Sequence, residues 1–345
     1  MLTENEIKLY DRQIRLWGLT SQTRLKSSKI LIINLTGLAV EITKNLMLAG
    51  VGSLTVCDIY SLLDQDLNCN FFVDSSQVGM PRLLASESRI IDLNPRVEFK
   101  PLIIDWKTQS DNFFNNFDLI IATGINDLEI KKLNKLTRKL NKPLIVGGIH
   151  GLFGFCWLDL LNHEGTIDYE KNDFRKIGKV DNYREIIKID NVLGGEGGDK
   201  EMQRCLIKQQ YKSWQNATSD AIKIQFNSEK KLIKRVNGML LPLLALLQLD
   251  SEIGKPIETV CIDPQLVLEK AHRLLSNWEL PKSMIVKDKV DLISKHAYCE
   301  YQPVSAILGG VIAQDVVNFL VKKELPILNF ALLDGQLDQM PVYIL

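Results

Sequence analysis

The chain has 345 residues, of which 46% are hydrophobic and 24% are charged. This length predicts about two domains, and the composition excludes a disordered, collagenous or low-complexity protein. Lysine plus arginine and aspartate plus glutamate number 42 each, so the formal net charge is zero. A balanced charge argues against nucleic acid or an anionic membrane as the main partner.

The N-terminal residues and the cysteines indicate the cellular compartment. The N-terminus lacks the basic and then apolar profile of a signal peptide, and the apolar stretch from Met239 to Leu249 is shorter than a bilayer span. The six cysteines are scattered and form no Cys-x-x-Cys pair. We therefore expect a soluble intracellular protein with reduced thiols.

Strands and helices alternate through the first part of the sequence. The β-branched run over 29–35 predicts a strand buried on both faces. A turn with Gly37 leads into a predicted helix over 39–49, and a second strand over 54–58 ends in an acid, Asp58. These elements form a right-handed βαβ unit.

The alternation continues to about residue 160. Helices are predicted over 81–93 and 128–141, and strands over 97–104, 118–122 and 144–147. We therefore expect residues 1–164 to form a Rossmann-like α/β domain, with helices on both faces of a mostly parallel sheet.

A polar segment after residue 164 interrupts this pattern. The glycine-rich run 194–198 is typical of a flexible linker. Helices are predicted over 200–214 and 228–249 and from Asp263, where a cap precedes a proline. Residues 165–295 are therefore expected to be a mainly helical insertion.

The C-terminal segment, residues 296–345, returns to the earlier pattern. A helix is predicted from Pro303 and a strand over 330–334, and we expect the segment to rejoin the first domain.

The turn over 34–39 is a candidate phosphate loop, but it contains the single glycine Gly37. It therefore fails the dinucleotide fingerprint, although Asp58 lies at the distance of a ribose-binding acid. These residues alone favour an ordinary strand-to-helix turn. The four histidines lack ligand spacing, and no cysteine has the surroundings of a nucleophile, so neither a metal site nor a catalytic thiol is predicted.

The segment Tyr10–Gly18 carries two arginines, Arg12 and Arg15, one helical turn apart beside a tryptophan. Arginine suits bidentate phosphate contact because its charge is permanent and its donors form a planar fork. Alternatively, the segment is a surface helix in which Asp11 and Arg15 form a local ion pair.

The nonapeptide at 10–18 resembles the opening signature of the enzymes that activate ubiquitin and ubiquitin-like proteins. The resemblance continues through Gly37, 41–46, 49–52, Val78-Gly79, Asn94-Pro95, 303–316 and Asp334-Gly335. In that family two Rossmann-like adenylation domains face each other, and one half of each eukaryotic pair binds ATP and carries the thioester cysteine.

The ATP-binding motifs of that family are degraded in this sequence. The glycine-rich loop falls on 34–39, the phosphate-binding arginine on Cys69, the ATP lysine on Arg82 and the magnesium-binding aspartate on Gly124. The Pro-x-Cys-Thr motif around the thioester cysteine is absent. The resemblance therefore implies the non-catalytic half, which binds no cofactor or metal itself and is inactive alone.

The resemblance also implies a heterodimer with a larger catalytic subunit, which binds Mg-ATP and the C-terminal carboxylate of the modifier protein. Among such halves, the length fits best the smaller half of the SUMO-activating members. Arg12 is implied to reach the ATP phosphates across the interface, with Arg15 as a neighbour that helps to place it. The family implies the nucleus, and also the cytoplasm, as location.

Two further features are candidates for packing the two halves together. These are Trp17 and a stripe of small residues, Ala306, Gly309, Gly310 and Ala313. Alternatively, both belong to the core of the chain itself.

Three other functions compete with this interpretation. One is a purely structural pseudoenzyme subunit, which differs from our interpretation only in that Arg12 has no catalytic role. A homodimeric adenylating enzyme for a sulfur carrier is opposed by Thr36 and Gly124. A nicotinamide-dependent oxidoreductase leaves the Arg12 signature unexplained.

Overall fold

The computed structural model describes residues 2–170, 175–194, 200–219, 236–253 and 262–345. Three short helices come first, α1 (Glu4–Leu9), α2 (Asp11–Trp17) and α3 (Leu19–Ser27). Thr3 Oγ1 accepts the Glu6 N–H, and the Glu6 carboxylate accepts the Thr3 N–H, which together form a capping box. Helix α2 buries none of its residues.

A central sheet of eight strands follows. Its members are β1 (Lys29–Ile33), β2 (Ser53–Cys57), β3 (Glu98–Leu102), β4 (Leu119–Thr123), β5 (Leu144–His150), β6 (Phe153–Asp159), β11 (Phe330–Asp334) and β12 (Val342–Tyr343). The order is β12-β11-β6-β5-β4-β1-β2-β3. The strands from β3 to β5 are parallel, whereas β6, β11 and β12 run antiparallel. The predicted α/β fold with a mostly parallel sheet is confirmed.

Helices connect these strands and cover both faces of the sheet. They are α4 (Gly37–Ala49), α5 (Arg82–Leu93), α6 (Asp111–Asn115) and α7 (Asp127–Lys139). Strands β1, β2 and β4 are buried apart from the first residue of β1, because apolar side chains on both of their faces meet helices. Helix α4 ends at Gly50, which has φ +79° and leaves no room for a Cβ beside the Tyr10 ring.

A second, antiparallel sheet contains β7 (Asn162–Glu170), β8 (Gly178–Lys179), β9 (Arg184–Gly194) and β10 (Lys200–Gln210), in the order β7-β10-β9-β8. The predicted helix over 200–214 is therefore wrong. Cys205, Ile207 and Gln209 are buried at alternate positions, because β10 pairs along its length with β7 and β9. Long-range pairing overrides the helical preference of the lysines and glutamines.

The other described elements of this segment are helical. They are α8 (Trp214–Thr218), α9 (Leu240–Ile253), α10 (Pro264–Asn277) and α11 (Lys287–Lys295). Helix α10 begins at the predicted cap, Asp263, whose side chain accepts the Gln265 N–H. The first part of the helix predicted over 228–249 and most of the glycine-rich run lie outside the described residues.

The last helix, α12 (Gln302–Val321), packs on α4 and α3, and β11 pairs with β6 in the central sheet. By length and composition α12 could cross a membrane, but 56% of its apolar window is buried inside the protein. This burial is typical of a core helix. The division into an α/β domain, an insertion and a returning segment stays a prediction.

Candidate functional site

A cavity of about 1050 Å³ lies at the carboxyl ends of the parallel strands. Thr36 follows β1, Asn126 follows β4, and His150 ends β5, and all three line the cavity. Strand β1 has β4 on one side and β2 on the other, so this is the point at which the strand order reverses. Open α/β sheets bind their ligands at such a switch point.

The amino end of α4 opens into this cavity and is occupied by a carboxylate of the same chain. Glu300 Oε2 accepts the Gly37 N–H at 2.6 Å, and Oε1 accepts the Leu38 N–H at 3.4 Å. Removal from bulk water raises the pKa of Glu300, while the Gly37 N–H and the charge of Arg82 oppose this rise. The N–H groups that bind phosphate in nucleotide-binding proteins are thus already satisfied.

The candidate ribose acid, Asp58, is also held by the chain itself. Its side chain is fully buried, and Oδ2 accepts the Leu35 N–H and Arg82 Nε, each at 2.6 Å. Oδ1 accepts the Tyr60 N–H at 2.7 Å. Asp58, the candidate ribose acid, and Arg82, which aligns with the family's ATP lysine, therefore neutralise each other.

Cys69, which replaces the family's phosphate-binding arginine, closes the turn from another side. A Cβ on Gly37 would lie 2.5 Å from Cys69 Cβ, so a side chain at position 37 has no space. Burial raises the pKa of the Cys69 thiol to about 12, which keeps it protonated. Within the described residues, no three histidine, cysteine, aspartate or glutamate side chains are grouped as a metal site.

His150 is a buried member of the cavity wall that sequence analysis missed. It is 1% exposed, and burial lowers its pKa to about 3. Nδ1 accepts the Tyr298 N–H at 3.0 Å, which assigns the proton of the neutral ring to Nε2. Nε2 has no partner among the described residues.

The predicted residues Arg12 and Arg15 lie elsewhere, on α2, and neither lines the cavity. Arg15 forms the alternative ion pair with Asp11, at 2.9 Å, and its side chain is 78% exposed. Arg12 is exposed and forms no hydrogen bond or ion pair within the described part of the chain. Its guanidinium is therefore available to a partner.

Helix α2 is fixed to the core through the residue that precedes it. Tyr10 is buried beside Gly50, and its hydroxyl accepts a hydrogen bond from Asn94 Nδ2 at 2.8 Å. The large apolar side chains Leu9, Leu16 and Leu19 are 50–68% exposed around the helix. An anchored helix with exposed leucines has the character of an interaction surface.

The two other candidate contacts belong largely to the core of this chain. Trp17 Nε1 donates to Gln22 Oε1 at 2.9 Å, and its ring packs partly against the core. On α12, Gly309 is in close contact with Glu41 of α4, and Ala313 is buried. Ala306 and Gly310 are only partly buried.

The fold and the cavity define an α/β protein with a nucleotide-type switch point. The chain belongs to the ThiF family, whose model matches residues 10–342. Among curated relatives, "DNA damage tolerance protein RHC31" of Saccharomyces cerevisiae is 36% identical over 99% of this chain and 97% of the relative. "SUMO-activating enzyme subunit 1" of Homo sapiens is 29% identical over 97% of this chain and 93% of the relative.

A solved structure supports the fold. The structure titled "Crystal structure of E. coli MccB + MccA-N7isoASN" matches with a TM-score of 0.55 and 11% identity, over 98% of this chain and 71% of that one.

Proposed function

We propose that this chain is the smaller subunit of a SUMO-activating enzyme, which leaves ATP to its larger partner and contributes Arg12 to the reaction. The observation that carries the proposal is the internal occupation of the switch-point site by Glu300 and by the Asp58–Arg82 pair. The similarity to SUMO-activating enzyme subunit 1 along nearly the whole chain supports the assignment to SUMO. The chain would act in the nucleus and the cytoplasm.

In the proposed reaction the larger subunit holds Mg-ATP and the C-terminus of SUMO. The carboxylate attacks the α-phosphate and pyrophosphate leaves. The thiolate of the partner's cysteine then attacks the acyl carbon of the adenylate, which forms the thioester and releases AMP. The barrier comes from crowded negative charge, so a positioned cation lowers it. The exposed Arg12, on a helix fixed by Tyr10, would donate to the phosphates across the interface.

Arg15 would act through Arg12 rather than on the phosphates. Its ion pair with Asp11 spans one turn of α2, the turn that contains Arg12. The pair is exposed and contributes little to stability, about 0.3–0.5 kcal/mol. Its contribution would be to stabilise the helical turn that presents Arg12.

The main rival is a structural subunit without a catalytic contribution, and the exposed leucines around α2 are compatible with it. ATP–pyrophosphate exchange by the heterodimer, with SUMO present, separates the two. Arg12→Ala should lower exchange by roughly 10²–10³-fold, as other single-donor deletions do. Arg15→Ala should cost less than about tenfold.

Lys8→Ala is the matched control, because Lys8 is an exposed cation on the neighbouring helix α1. It should exchange at the wild-type rate, and all variants should co-elute with the partner in gel filtration. Exchange at the wild-type rate by an assembled Arg12→Ala heterodimer would refute the catalytic role and favour the structural subunit.

A further inference from the structure

The donors of the first turn of α4 can be accounted for one by one. Glu300 accepts the N–H groups of Gly37 and Leu38. The Thr36 hydroxyl accepts the Ala39 N–H at 3.3 Å, and the Val40 N–H already donates to the Thr36 carbonyl. A helix normally leaves the first three of these N–H groups without an intrahelical partner. Here none of these four remains for an incoming anion.

Glu300 is placed by a different part of the chain from the turn that it fills. It lies two residues before α12, a separation of 263 residues from Gly37. It is partly buried and belongs to the wall of the 1050 Å³ cavity, together with Thr36 and Leu38. The cavity therefore has space for a ligand, although the adjacent amino end of α4 is already occupied by Glu300.

The acidic groups around this point also oppose an anion. Asp66 lies close enough to raise the pKa of Glu300 by repulsion. Arg82, whose charge favours the Glu300 anion, is already paired with Asp58 through Nε. A phosphate that entered beside Glu300 would meet a like charge at short range in a poorly solvated site, where repulsion is strong.

We infer that Glu300 is the residue that excludes nucleotide phosphates from the switch-point cavity. Its carboxylate takes the place of a phosphate at the amino end of α4 and disfavours an anion at that end of the cavity. Loss of this carboxylate opens an anion site there. The inference rests on the proposed function, in which ATP is bound by the larger subunit alone.

The test uses the full chain with inorganic pyrophosphate and Mg-ATP as probes, in calorimetry and thermal unfolding. The wild type should give no binding heat and no shift in its unfolding temperature. Glu300→Ala should bind pyrophosphate, with a shift of about 2 °C or more at saturation. Glu300→Gln, which removes the charge but keeps the volume, should show a smaller shift.

Glu269→Ala is the control for net charge, since Glu269 is an exposed carboxylate on α10. It should respond like the wild type. A folded Glu300→Ala chain with no response to either probe would overturn the inference and leave the proposed function intact. Micromolar binding of Mg-ATP by the wild type would instead overturn the proposed division between the subunits, and the exclusion by Glu300 with it.

Discussion

Helix α5 carries two ion pairs that provide an internal comparison. Arg82 pairs with Asp58, with side chains 11% and 0% exposed, and Arg89 pairs with Asp74, with side chains 45% and 58% exposed. Replacement of either arginine by leucine keeps a good helix former and removes one cation. The two variants therefore differ mainly in the burial of the carboxylate that is left behind.

The expected losses in the free energy of unfolding differ clearly between the two variants. Breaking a buried pair leaves an uncompensated charge and costs about 3–5 kcal/mol. Asp58 keeps two backbone N–H donors, from Leu35 and Tyr60, so we expect Arg82→Leu to cost about 3 kcal/mol, the lower end. Arg89→Leu should cost about 0–1 kcal/mol, because an exposed pair is screened by water.

Urea unfolding of the full chain measures both losses. A double variant, Arg82→Leu with Asp58→Asn, removes the unpaired buried charge and should recover part of the stability. Equal losses for Arg82→Leu and Arg89→Leu, or no recovery in the double variant, would refute the argument that a buried pair neutralises these two charges at the switch point.

Three further predictions concern groups in the core. Burial raises the pKa of Asp315 to about 7, so the folded state retains a proton there that the unfolded state loses above about pH 4. The free energy of unfolding should therefore fall between pH 4 and 7, by up to about 4 kcal/mol. Asp315→Asn should abolish this fall, as urea unfolding at several pH values would measure. His150 has the opposite sign, since its pKa of about 3 means that stability is lost as pH falls below about 6.5, and His150→Asn should flatten this acid limb. Gly50→Ala should cost about 1–3 kcal/mol through backbone strain and contact with Tyr10, and the loss should be smaller in a Tyr10→Ala background, as a double-mutant cycle would measure.

The parallel core was predictable because its signals are local. The β-branched run that became β1 and the glycines that close α4 each lie within a few residues of the structure that they specify. Strand β10 was mistaken for a helix because its residue types favour a helix, whereas its structure depends on pairing with β7 and β9.

The nucleotide-binding residues that the site lacks were predictable, whereas the residue that fills it was not. The single glycine and Cys69 indicated a degraded nucleotide turn, and in the structure Cys69 leaves no space for a Cβ at Gly37. Glu300 gave no signal, because its partner Gly37 is distant in sequence and a glutamate before a helix is unremarkable by itself. The role of Arg12 stays a prediction, since no contact within the described part of the chain bears on it.

Helix α4 is secured at both ends by residues from distant parts of the sequence. Glu300 holds its amino end, while Tyr10 and Gln22, which donates to the Ala49 carbonyl at 3.3 Å, hold its carboxyl end. With 13 residues, the helix forms a rod of about 20 Å between these two points. The position of Tyr10, and with it the start of α2, is thus set without any ligand. The conformational entropy of this segment is lost during folding, so association with a partner does not have to overcome it.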